Sequence, residues 1–599
     1  MADEKRGWRQ FQKLTFDSKK ISKRVKKAEG ATVRHARKFI LTRFDSILSV
    51  RRHIIAWLLL VGLMIGMVGL QFTWFQQDYI TSASSSGGTY AEALLGPIDT
   101  LNPLYASSDA EMAASRLLFS SLFTYDSTGH LHGDLAQSMT IDPTNTLYTV
   151  KLRDDAKWHD GSQVTAQDVA FTVNLIKNPQ ALSSLRVNWQ DVSVKALDDT
   201  TVQFQLPAVY AAFPHALTFA ILPEHVLSSV APGAVRENVF SRSPIGSGPF
   251  SFQLLQSTNT ADPGRKIVHM TAFNDYYGGK PLLNRFEIHA YSTQDEIIQA
   301  LRTGEVDAAG SLAGSNIAQV NTHNYTITDQ PVDSGVYALL NMEAPMLKDR
   351  AVRLALQLGT NTTEIRKKLG TNAPPLDLPF INGQLSGTDI PRAPSYDPTK
   401  AAELLDQDGW SLVGGVRQKG TQKLTLTIAT TKSPQYQVAL QELVGQWRKL
   451  GITITTNVVD PTDPTTDFVQ NTLQARNYDV LLFELFIGAD PDVYAYWHSS
   501  QIGIDGYNFS NYSNSTADAA LASARSRLEP ELRNAKYETF ARQWLSDVPA
   551  IGLYQSTAAY VTNHHVTSID PSAHLISAVD RYSNVLYWSV GQDAVYKTP

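Results

Sequence analysis

Two hydrophobic patterns alternate along most of this chain. Leu147–Arg153 (LYTVKLR), Thr201–Leu206 (TVQFQL), Lys423–Thr430 (KLTLTIAT) and Tyr478–Leu485 (YDVLLFEL) are short runs rich in β-branched and aromatic residues, and they predict strands. Thr165–Asn178, Asp295–Glu305 and Gln437–Gly451 carry apolar residues at helical spacing and predict helices. The first opens with Thr165 and Asp168 in capping positions, and the last stops at a glycine. The class is therefore mixed α/β. Ile54–Phe75 (IIAWLLLVGLMIGMVGLQFTWF) follows neither pattern: all 22 positions lack charge. At a rise of about 1.5 Å per residue this run matches the roughly 30 Å hydrocarbon core of a bilayer.

Charge orients that segment. Residues 1–53 hold 16 Lys and Arg against 5 Asp and Glu, so the rest of a chain of net charge −5 carries −16. Positive flanks stay cytoplasmic, which places the N-terminus inside and everything after about Gln76 outside, in the periplasm or on the cell surface. A cleaved leader is the rival reading, with Ser82-Ala83-Ser84 as its cleavage site. A 53-residue leader and a 22-residue apolar run are both too long for the usual form. The expected order is a basic cytoplasmic tail (1–53), a transmembrane anchor (54–75), a flexible Ser/Gly linker (76–88) and a large exterior body. Anionic lipid headgroups are the expected partner of the tail, at about 1 kcal/mol per basic residue near the surface. Basic and aromatic residues do not interleave there, so nucleic acid is not an expected partner.

Candidate chemistry is sparse. The chain has no cysteine, which excludes disulfides, thiolate metal sites and a cysteine nucleophile. G-x-S-x-G and H-E-x-x-H do not occur, and no S-x-x-K is paired with K-T-G. Gly246–Phe250 (GSGPF) is too short for a phosphate loop and predicts a strand-to-turn element. The pairs His130/His132 and His564/His565 lack a nearby third ligand, and Trp158–Gly161 (WHDG) predicts a turn with a packed tryptophan. The reading is of a binding protein, not an enzyme, with no cofactor and no metal. A cleft between lobes suits a body in which aromatic residues make up 10% of the chain.

Read in order, the segments resemble solute-binding protein family 5, the oligopeptide, dipeptide and nickel binders of ABC importers. Ile98–Ala110 (IDTLNPLYASSDA) is similar to the family's opening stretch, with Asn102 in place of its usual aspartate. Tyr148–Val173 (YTVKLRDDAKWHDGSQVTAQDVAFTV) resembles its longest signature. Pro244–Phe250, Phe273–Ile288, Ala300–Ala309, Leu339–Leu356, Tyr396–Trp410, Gly488–Ser500 and Asp547–Tyr554 follow in family order. The resemblance implies a periplasmic-binding-protein-like fold of two α/β lobes joined by a hinge. Residues 89–294, with 555–599 returning, would form lobe one, and 295–554 lobe two.

It also implies a ligand site. The family's peptide binders place an aspartate for the ligand ammonium three residues before the acid-Pro pair matched by Asp490-Pro491; this chain has Ile487 there. Glu484 is the nearest acid upstream. Asp490 and Asp492 either cap a helix or meet ligand, Asn341 is a backbone-binding candidate, and Tyr494 and Trp189 are pocket or core aromatics. The expected function is capture of a peptide, or another small solute such as a nickel chelate, for delivery to ABC permease subunits, by a monomer. A receptor of the same fold signalling through the basic tail is the alternative.

Overall fold

The computed structural model describes residues 50–257, 265–370, 372–387, 389–461, 463 and 465–596. Most of the expected basic tail lies outside the described residues. Arg51–Tyr79 forms one helix (α1), and its stretch Arg51–Trp74 is long and apolar enough to cross a membrane. Ile80–Ser84 is a short strand within the span expected to be a flexible linker.

The body runs from Ser84 to Asp593. The strands of its two larger sheets, in chain order, are β1 (Thr89–Leu95), β2 (Ala136–Ile141), β3 (Leu147–Leu152), β4 (Ser193–Asp198), β5 (Thr201–Gln205), β6 (Phe250–Ser257), β7 (Lys266–Ala272), β8 (Arg285–Tyr291), β9 (Ala308–Ala309), β10 (Tyr325–Leu340), β11 (Thr425–Thr431), β12 (Thr453–Val459), β13 (Val480–Phe486) and β14 (Ala550–Asn563). Helices that matter below are α2 (Asp109–Leu118), α3 (Ala166–Lys177), α4 (Gln294–Thr303), α5 (Arg350–Leu358), α6 (Pro434–Lys449), α7 (Ser515–Arg525) and α8 (Pro530–Asp547).

A ten-stranded sheet in the order β12-β11-β13-β10-β14-β9-β1-β8-β7-β6 runs through the body, and β2-β3-β5-β4 form a separate antiparallel sheet. Strands β10 and β14 are its long central pair, antiparallel from Tyr325↔Asn563 to Leu339↔Ala550, with the register broken between Pro331 and Gly335. One core gathers Tyr90, Tyr148, Trp158, Phe204 and Phe286 with the C-terminal Tyr560, Tyr582 and Trp588. Two others gather around β10, β11 and β13 on opposite faces: Leu340, Leu482 and Trp447 on one, Leu339, Leu481 and Trp544 on the other. Residues 297–325, assigned to lobe two by the sequence reading, share a small core with Ala91, Ala93 and Val561.

Local signals act where the sequence places them. Asp168 accepts the Thr165 N–H at 2.8 Å at the start of α3, and also takes the Glu224 N–H at 2.7 Å and the Trp158 indole at 3.3 Å. Gly304 ends α4 in the left-handed region at φ 70°. His159 joins two motifs: its Nδ1 accepts the Gly246 N–H at 3.1 Å, so its Nε2 donates to the Gly248 carbonyl at 3.0 Å. Burial holds its pKa down to about 4, and the ring is neutral. The glycines are required here, because a Cβ on Gly246 would lie 1.9 Å from the Leu118 oxygen and one on Gly248 2.5 Å from that of Leu117.

Candidate functional site

A cavity of about 680 Å³ lies between the first core and the β13 end of the sheet. Four stretches of the N-terminal half wall it: 103–106, much of α2 and its sequel (112–125), 185–189, and 210–220. The segment after β13 (486–492) faces them, and 576–580 close one side. Phe119, Tyr125, Trp189, Phe219, Ile487, Ile576 and Val579 supply apolar surface, which is the usual character of a small-molecule site.

Its charged groups divide into tied and untied. Arg533 on α8 holds Asp490 through two parallel bonds, Nη1–Oδ2 at 2.8 Å and Nη2–Oδ1 at 2.7 Å. Burial opposes the charge on Arg533, yet Asp490 outweighs it and raises the guanidinium's pKa. Arg525, the last residue of α7, pairs with Asp492 at 3.1 Å. Burial pushes the Asp492 carboxyl up despite that cation. Arg525 also lies between the rings of Tyr210 at 4.5 Å and Tyr494 at 4.6 Å, and its carbonyl accepts the Ala211 N–H at 2.9 Å. This contact ties the 210–211 loop to the opposite wall. His215 meets the Tyr125 hydroxyl through Nδ1 at 2.9 Å, and burial lowers its pKa.

Arg116 and Asp580 are not paired in this way. Arg116, near the C-terminus of α2, donates to the Thr124 hydroxyl and has no carboxylate at ion-pair distance among the described residues. Asp580 accepts the Ser577 N–H and hydroxyl on Oδ2, both at 2.8 Å, and has no cation at that distance among the described residues. Its sequence neighbour Arg581 turns away into the core, onto Glu92 at 2.7 Å.

Of the six residues singled out from sequence, Trp189, Asp490 and Asp492 line this cavity. Trp189 is also packed on Phe204, Phe213 and Phe219, so it is wall and core together. The other three do not line it. Asn341 sits at the far end of β10, where its amide donates to the Tyr478 carbonyl at 3.0 Å and accepts from Asn511 and the Glu343 N–H, fixing a turn. Glu484 projects from the other face of β13, toward Ser334 and Ser556, and burial raises its pKa. The segment that follows is held by the Ile487 and Gly488 N–H groups, which both bond the Asp333 carbonyl, at 2.9 and 3.0 Å. Tyr494 stacks on His498 at 4.1 Å and against the Arg525 guanidinium at 4.6 Å. Ile487 itself lines the wall. Arg116 and Asp580 were not visible as a pair in the sequence: 464 positions separate them, and Ser577–Asp580 reads only as a helix cap.

The sequence matches the family described as bacterial extracellular solute-binding proteins, family 5 Middle, over residues 130–506. It is 26% identical over 499 residues to the oligopeptide-binding protein AppA of Bacillus subtilis, covering 80% of this chain and 87% of that protein. It is 27% identical over 383 residues to the nickel-binding periplasmic protein of Escherichia coli, covering 59% and 68%. Among solved structures, NikZ of Campylobacter jejuni in complex with Ni(L-His) superposes with a TM-score of 0.71 at 27% identity, covering 84% of this chain and 99% of that one.

Proposed function

Because the chain belongs to the bacterial extracellular solute-binding proteins of family 5, we propose that it is the solute-capturing subunit of an ABC importer for peptides, held at the outer face of the membrane by α1. The observation that carries this reading is the cleft, walled by segments from both ends of the body and bridged by the Tyr210–Arg525 contact. In this reading residues 89–294 with 555–599 make one lobe and 295–554 the other, and the β10–β14 pair flexes at its register break. Closure removes the solute from water and presents it to the permease. No step of bond chemistry is assigned to the chain. The similarity to an oligopeptide-binding protein supports peptides as the solute.

One observation favours a second solute class. Ile487 stands where the family's peptide binders carry an aspartate, and a wall without that carboxylate suits a metal chelate such as the one in NikZ. The deciding experiment is mass spectrometry of solutes released by denaturing the full chain purified in detergent. Mixed short peptides are expected. A single non-peptide compound would overturn the peptide assignment and leave the importer role.

A further inference from the structure

The geometry points to a zwitterionic solute, its carboxylate held by Arg116 and its ammonium by Asp580. This rests on the reading of the cleft as the solute site and adds what that site recognises.

Apart from the phenols of Tyr125 and Tyr210, five titratable side chains face the cavity: Arg116, Asp580 and three that are engaged. Asp490 is matched by the two bonds from Arg533. Asp492 is matched by Arg525. His215, whose pKa burial lowers, is bonded to the Tyr125 hydroxyl. An ammonium arriving at either of those aspartates would have to displace a guanidinium already in place. Ile487 offers it no charge at all.

Arg116 and Asp580 are not matched. Arg116 uses Nη2 on a neutral hydroxyl, and a guanidinium has a planar fork of five N–H donors that fits a carboxylate. Asp580 spends Oδ2 on its own helix cap, and Oδ1 accepts no hydrogen bond among the described residues. His574 feels the charge of Asp580, but that ring is bonded to Asp333 at 3.0 Å. Asp580 is 7% exposed, and its charge bears on the phenol of Tyr125, the residue next to the Thr124 that receives Arg116. The two opposite charges thus face one cavity from α2 and from the C-terminal segment without pairing.

An uncompensated charge inside a closing cleft is costly unless an opposite charge enters with it. A solute that brings one group of each sign satisfies both sites at once. A purely cationic or purely anionic solute leaves one of them unmet. Charge-assisted hydrogen bonds of this kind are the strong ones, so each should dominate discrimination at its end.

The test uses the full chain, stripped of co-purified solute by unfolding and refolding, and the binding of tetra-alanine in four forms: free, N-acetylated, C-amidated and doubly capped. Calorimetry reads affinity. The free form is expected to bind tightest, and each cap to weaken binding about tenfold or more. Arg116→Gln should abolish the penalty for amidation and keep that for acetylation. Asp580→Asn, which preserves the Ser577 cap, should do the reverse. Equal affinity for all four forms, or cap penalties unchanged in both variants, would overturn the inference while leaving the peptide reading intact. A parallel set uses histidine, histidinamide and N-acetylhistidine, each with and without Ni(II). If only this set binds, and with the same discrimination, the peptide reading fails and the inference stands. A folded wild-type chain that binds no member of either set refutes the inference.

Discussion

Replacing Arg533 with methionine isolates the ion pair at the cleft wall. The two side chains are 15% and 10% exposed, joined by two bonds below 2.9 Å, and Arg533 donates further to the Tyr537 hydroxyl and the Ala524 carbonyl. Methionine keeps much of the stem's packing but leaves Asp490 largely buried and without its cation. Removing one partner of a buried pair costs about 3–5 kcal/mol. The body spans Ser84–Asp593. At about 2.1 cal/mol/K per residue its unfolding entropy near 60 °C is about 1.1 kcal/mol/K, so Tm should fall by about 3–5 °C, and about twice that if the lobe bearing Arg533 melts alone. Calorimetric melting of wild type, R533M, D490L and the double variant gives the coupling. The double variant should recover most of the loss, because two apolar groups in place of a buried pair are near neutral. Single variants whose losses simply add, or an R533M shift under about 1 °C, would refute the view that this pair is closed and unavailable to solute.

Three further outcomes follow from the geometry. His159 is neutral with a folded pKa of about 4 against about 6.5 unfolded, so the unfolded state binds the extra proton, and stability falls by about 3 kcal/mol as pH drops from above 6.5 to about 4. A titration of its ring protons by NMR should show no midpoint above about pH 5, and one near 6.5 would be contrary. Gly248→Ala should destabilise by about 2 kcal/mol or more in urea denaturation, since its Cβ would meet backbone at 2.5–2.8 Å. Gly445→Ala, inside α6 with nothing within 4 Å, should be neutral or stabilising by up to about 1 kcal/mol and serves as the control. Arg525→Ala removes two ring contacts and the partner of Asp492, so the ligand-free protein should expand in solution scattering and the loaded protein should release solute faster; unchanged scattering and dissociation would count against a clasp there.

The sequence by itself determined what neighbours along the chain decide. An uncharged run of 22 residues reads as a membrane-length helix because a helix satisfies its own backbone wherever it lies. Alternation and capping give β3, β5, β11, β13 and the start of α3, since period and cap are local geometry. The turn roles of Trp158–Gly161 and Gly246–Phe250 were legible for the same reason, but not that His159 bonds one to the other across nearly ninety positions. Tertiary structure alone decided the cleft. Asp490 and Asp492 were visible as acids, while Arg533 and Arg525, which occupy them, lie on helices 43 and 33 residues further on. Glu484 and Ile487 are three apart, and only the pleat of β13 and the two bonds to the Asp333 carbonyl turn one away and the other in. Coulombic and hydrogen-bond energies are spent within a few ångströms. Which charges meet, and which are left for a solute, therefore depends on which distant segments the fold brings together.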